Sequence, residues 1–118
     1  MSAAAVPAPD DFEPLAKTTE LAGGALLEVR KANGEEVCLY NRGGEIGAVH
    51  NICTHAEFLM SDGMLHGGPG GRCSIECVWH GAQFDCRTGE VLKGPATDPL
   101  PVYQVRIEDG VIYVGPRK

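Results

Sequence analysis

A chain of 118 residues and 12.5 kDa has room for one domain, too little for an enzyme that joins a cofactor domain to a substrate domain. Hydrophobic residues at 43% allow a modest core, while 16 Gly and 8 Pro favour turn-rich β structure over helices. Ten Lys and Arg against 16 Asp and Glu leave a net charge of −6, the wrong sign for an ordinary nucleic-acid binder.

Residues 1–10 (MSAAAVPAPD) read as an Ala/Pro-rich mobile tail. They lack the positive start and apolar stretch of a signal peptide, and no run of 18 apolar residues follows to span a membrane. An odd cysteine count argues against a complete disulfide framework, so the expected compartment is the cytoplasm. From Phe12 the pattern is short strands and Gly-bearing turns. Leu26–Arg30 runs into a hairpin signal at Asn33-Gly34, and Glu36–Tyr40 returns with Val37 and Leu39 on one face and Cys38 and Tyr40 on the other. A second turn at Gly43-Gly44 leads into Ile46–Val49. Near the other end Val102–Ile107 alternates, turns at Asp109-Gly110, and returns as Val111–Val114. Apart from a possible turn near Glu57–Met60, no window carries helical spacing.

Residues 50–97 differ from this scaffold. They hold all four histidines, four of the five cysteines and many of the glycines, which predicts a metal-binding lobe inserted in a β base formed by 11–49 and 98–118. Within the lobe stand Cys53-Thr54-His55 and Cys77-Val78-Trp79-His80, offering two thiolates and two imidazoles from two loops. Scattered core cysteines are a poor account of two such close pairs. A tetrahedral Cys₂His₂ zinc site is possible, although structural zinc sites more often begin with Cys-x-x-Cys. A [2Fe–2S] rhomb fits better: each iron needs two protein ligands, so two loops must clasp it, each giving one Cys and one His. Gly81 lets the backbone pass close to the ligands, and Gly63, Gly67 and Gly68 suit a tight return between the loops.

Cys53-Thr54-His55, Ser61-Asp62-Gly63, Cys77-Val78-Trp79-His80-Gly81, Phe84–Gly89 and Lys93-Gly94-Pro95-Ala96 together resemble the Rieske family, most closely its small ferredoxins that serve ring-hydroxylating oxygenases. The resemblance runs from the Asn33-Gly34 hairpin to Val114. It implies an all-β Rieske fold of antiparallel sheets across 1–118, and one [2Fe–2S] cluster. Cys53 and Cys77 would bind one iron, and His55 and His80 the other. Neutral imidazoles in place of two thiolates raise the reduction potential above that of an all-Cys ferredoxin. The 21 residues between His55 and Cys77 exceed the family's usual spacer, with the extra length expected in Gly67-Gly68-Pro69-Gly70-Gly71.

Rieske subunits of cytochrome complexes carry a further cysteine in each ligand loop, where this chain has Phe58 and Trp79, and they carry an anchor, for which no segment is found. High-potential members follow the second motif with Ser and Tyr hydroxyls. Here His80-Gly81-Ala82-Gln83-Phe84 offers neither, which places the expected potential near the bottom of the Rieske range, roughly −150 mV. Cys38, Cys73 and Cys86 are expected to be buried free thiols, a Cys73–Cys86 bridge being the lesser alternative. His50 and His66 read as structural or surface histidines. Glu57, Phe58, Leu59, Trp79, Gln83 and Pro95 flank the ligands and are candidates for docking or for shielding the cluster.

The resemblance implies a one-electron carrier between a flavin-containing, NAD(P)H-dependent reductase and a terminal oxygenase, with no turnover of its own. At 118 residues the chain has no room for an oxygenase catalytic domain. The alternatives are a small Rieske subunit of a multi-subunit enzyme, such as an assimilatory nitrite reductase, and a non-redox zinc module.

Overall fold

The computed structural model describes residues 11–54, 58–68, 72–78, 81–94 and 98–118. These residues form ten strands and two single 3-10 turns, at Thr18–Glu20 and Met60–Asp62, with no α-helix among them. The strands are β1 (Glu13–Lys17), β2 (Leu26–Arg30), β3 (Glu36–Arg42), β4 (Glu45–His50), β5 (Met64–Gly68), β6 (Arg72–Glu76), β7 (Gln83–Asp85), β8 (Val91–Lys93), β9 (Val102–Glu108) and β10 (Val111–Arg117). All pairings are antiparallel, in a six-stranded sheet ordered β1-β10-β9-β4-β3-β2 and a four-stranded meander β5-β6-β7-β8. No helix among the described residues is long and apolar enough to cross a membrane.

Turn chemistry sets two of the hairpins. Gly43 and Gly44, at φ 61° and 98°, join the paired residues Arg42 and Glu45, and Asp109-Gly110 joins Glu108 and Val111 in the same way. Both central residues then have positive φ, as the two-residue turn that matches strand twist requires. The Asn33-Gly34 signal marks a wider turn than its dipeptide predicts. Arg30 pairs with Glu36, and the Lys31 amide donates to the Glu35 carbonyl, leaving residues 31–35 as the connection.

The central strands separate a pair of cores. On β3, Val37 and Leu39 enter one cluster with Leu21, Ala48, Tyr103, Ile112 and Val114, inside the six-stranded sheet. Cys38 and Tyr40, on the opposite face, enter a second cluster with Val49 and Val102 and with Ile75, Cys77 and Phe84 of the meander. The alternation read on Glu36–Tyr40 is therefore real, but both faces are buried. This second core seats the meander on the larger sheet.

Two expectations are corrected. Gly67 and Gly68 are not a return: they belong to β5, opposite Cys73 and Arg72. At Gly67 the Arg42 guanidinium lies 2.8 Å from where a Cβ would stand, so the glycine admits a side chain from the other sheet. Residues 69–71, the rest of the lengthened segment, lie outside the described residues. The turn expected near Glu57–Met60 meets the 3-10 turn at Met60–Asp62, while Glu57 lies outside the described residues. Finally, Cys73 and Cys86 form a disulfide instead of two free thiols. The reason is register. Ser74 pairs with Asp85, so the next pair outward sets Cys86 opposite Cys73, with Cα atoms 5.5 Å apart and the Cys86 amide donating to the Cys73 carbonyl. Cys38 remains a buried free thiol, as expected.

Candidate metal centre

Cys53 follows β4 at the head of the first Cys/His loop. Its amide donates to the Phe58 carbonyl at 2.9 Å, and an isolated bridge between Ile52 and Leu59 closes the base of the loop. Asn51, fully buried, anchors this base. Its backbone amide donates to the Glu36 carbonyl and its carbonyl accepts from Met60. Its side-chain oxygen accepts from the Ser61 amide at 2.8 Å, and its side-chain nitrogen donates to Glu28 at 3.2 Å. The Thr54 hydroxyl donates to the Asp98 carbonyl at 2.8 Å, tying the loop to the segment that enters β9.

Cys77 follows β6 at the head of the second loop, which connects β6 to β7. Its amide donates to the Ala82 carbonyl at 2.8 Å, so this loop too is closed by its cysteine onto the residue five places on. Gly81 sits at φ +72°, a conformation that suits glycine. Gly63, just after the first loop, is required by close approach: a Cβ there would stand 1.9 Å from the Glu76 carbonyl oxygen. The two loops are thus fixed to each other through backbone as well as core.

Neither cysteine takes part in the disulfide; they are 3% and 0% exposed, and both belong to the same apolar cluster. An apolar cluster holds thiolates poorly unless a cation compensates them. Two thiols at the heads of two loops, closed alike, fit a group bound by one thiolate from each loop. His55 and His80, the expected imidazole donors, fall within these same loops and lie outside the described residues, as do Glu57, Trp79 and Pro95. Phe58 and Val78 are exposed beside the cysteines, while Leu59 and Gln83 are half-buried.

The remaining candidates have other surroundings. Burial pushes the Cys38 thiol up to about 12, which suits an inert core residue. His50 lies with Nδ1 3.4 Å from the Tyr103 hydroxyl, and burial holds its imidazole below the usual range. His66 Nε2 donates to Glu76 Oε1 at 2.7 Å. Neither Asn51 nor Glu76 stands out in the sequence: the only signal for either is adjacency to one of the two loops, which does not distinguish a hub from a spacer.

Comparison with known proteins bears on the same segments. The family model for the Rieske [2Fe-2S] domain matches residues 11–104. The p-cumate 2,3-dioxygenase system ferredoxin component of Pseudomonas putida is 36% identical over 105 residues, covering 88% of this chain and 85% of that protein. The ferredoxin component of the naphthalene 1,2-dioxygenase/salicylate 5-hydroxylase systems of a Ralstonia species is 44% identical over 79 residues, covering 67% and 71%. Among solved structures, a chain in the complex of reduced oxygenase and oxidized ferredoxin in carbazole 1,9a-dioxygenase superposes with a TM-score of 0.80 at 28% identity, covering 91% of this chain and 95% of that one.

Proposed function

The chain belongs to the Rieske [2Fe-2S] family, and from that premise we propose that it carries single electrons from an NAD(P)H-dependent flavin reductase to a terminal ring-hydroxylating oxygenase of aromatic catabolism. Its cofactor is one Rieske-type [2Fe–2S] cluster, which takes the place of the zinc alternative. Like the ferredoxin components it resembles, it is an electron-transfer component and not a catalyst.

Cys53 and Cys77 would hold one iron, and His55 and His80 the other. When bound, the cluster supplies a reversible one-electron couple. The residues of the chain do the rest. The shared apolar core keeps water from both thiolates, and the Cys53–Phe58 and Cys77–Ala82 hydrogen bonds fix where each loop starts and ends. Gly63 keeps the two loops in contact. Phe58 and Val78, exposed next to the ligand cysteines, offer apolar surface for a partner, with Glu57, Leu59, Trp79, Gln83 and Pro95 as further docking candidates.

The observation that carries this reading is the like closure of two cysteine-headed loops over one core in a chain of this family. The match to a chain from a complex of oxygenase and ferredoxin supports the choice of acceptor. The test is reconstitution. With a flavin reductase and a Rieske oxygenase, NAD(P)H oxidation should couple to substrate oxygenation only when this protein is added. Tight co-purification with one large subunit, without activity in that assay, would favour the multi-subunit alternative.

A further inference from the structure

The outer face of the meander carries a polar row beside the second ligand loop. Glu76, immediately before Cys77, pairs with Met64 on β5 and Gln83 on β7. Its Oε1 accepts from His66 Nε2 at 2.7 Å and lies 3.5 Å from Gln83 Nε2. Its Oε2 reaches the other way, to 3.2 Å from the position of a Cβ on Gly81. The carboxylate is therefore held between β5 and the backbone that follows His80. Glu76 is only 27% exposed, in contrast to a freely solvated surface glutamate.

We propose that Glu76 is a positioning residue that sets the electrostatic level of the second ligand loop, and that His66 holds its carboxylate there. This rests on the reading of Cys77 and His80 as ligands. A negative charge fixed beside a redox group opposes the arrival of an electron, so it favours the oxidised state and lowers the potential. It works together with the missing Ser and Tyr hydroxyls, in the same direction. A solvated carboxylate at the same sequence position would be screened and would do less. His66 supplies the anchor that prevents this: it sits on β5, diagonal to Glu76 across the β5–β6 pair.

The test is spectroelectrochemical titration of the holo-protein at one pH for Glu76→Gln, His66→Ala, the double variant, and Glu108→Gln. Glu108 lies on the β9–β10 hairpin of the other sheet, 55% exposed, and controls for net charge. Glu76→Gln should shift the reduced-to-oxidised ratio at fixed solution potential towards reduced by roughly threefold or more, a tenfold change being 59 mV for one electron. His66→Ala should shift it the same way by less, and should add nothing in the Glu76→Gln background. A Glu76→Gln shift no larger than that of Glu108→Gln overturns the proposal. So does a His66→Ala effect that persists in the double variant. If Glu76→Gln fails to retain the cluster, His66→Ala decides alone, and no shift or a fall in potential overturns it. The wild-type spectrum separately tests the ligand reading, since a protein without a Rieske signal would sink that reading before any shift is compared.

Discussion

The Cys77 amide donates to the Ala82 carbonyl across 2.8 Å, which sets the first residue after Gly81 against the start of the ligand loop. Ala82 is fully buried, and so is Phe84 two residues on. A hydroxyl placed at either position enters a site with no competing water. Ala82→Ser with Phe84→Tyr should therefore raise the reduction potential by stabilising the more negative reduced state through donors to sulfur. A redox titration of the double variant checks this, and an unchanged potential refutes the hydrogen-bond account.

Asn51 uses its backbone and both side-chain polar atoms to hold the base of the first loop. Asn51→Ala would leave the half-buried Ser61 amide without its acceptor, while the exposed Glu28 carboxylate turns to water. The expected loss is about 1–2 kcal/mol, together with faster release of the cluster. Thermal melts followed in the visible and far-ultraviolet regions would report the two effects separately.

The Cys73–Cys86 disulfide predicts a thiol count. Unfolded apo-protein prepared without reductant should titrate three thiols, from Cys38, Cys53 and Cys77, and five after reduction. Five from the start would contradict the bridge. Cys73→Ala with Cys86→Ala should cost about 2–3 kcal/mol, since the bridge closes a short loop. Urea unfolding measures this.

Glu35 ties the β2–β3 connection to β9 and β10 of the same sheet: it accepts from the Tyr103 hydroxyl at 2.8 Å and from Arg117 Nε at 2.9 Å. The Asn33 side chain, then Tyr103 and Arg117, hold its carboxyl down at about 2 from the ordinary 4.5. A lowered folded-state value means the ionised form stabilises the fold. That stabilisation is complete above pH 4.5 and is lost as pH falls towards 2. Glu35→Gln should destabilise the protein near neutrality and narrow its gap to wild type towards about pH 3. Denaturant midpoints at both pH values check the sign.

Hairpins were legible where the turn itself dictates backbone conformation, as at Gly43-Gly44 and Asp109-Gly110. The residues of β3 were legible as alternating, but not as buried on both faces, because alternation names two faces without saying what covers them. Strand β1 pairs with β10, from the far end of the chain, and such pairing leaves no local trace. Gly67 and Gly68 read as turn formers because glycine lacks a side chain to favour a strand, yet at Gly67 that lack makes room for Arg42. The loops headed by Cys53 and Cys77 were the most legible feature, since Cys/His pairs at such spacing are rare by chance. Their neighbours Asn51 and Glu76 were not, because their roles depend on partners in other strands. The disulfide followed from register, which spacing alone could not supply.

A cluster held by Cys53, His55, Cys77 and His80 should show in a reductive titration of the purified protein followed by EPR, with iron and zinc analysis on the same sample. Two irons per chain, uptake of one electron, and a rhombic signal of one unpaired electron per chain are expected, the signal being lost in Cys53→Ser and Cys77→Ser and changed or lost when His55 or His80 is replaced. A colourless protein that binds zinc and shows no EPR signal after reduction would overturn that assignment.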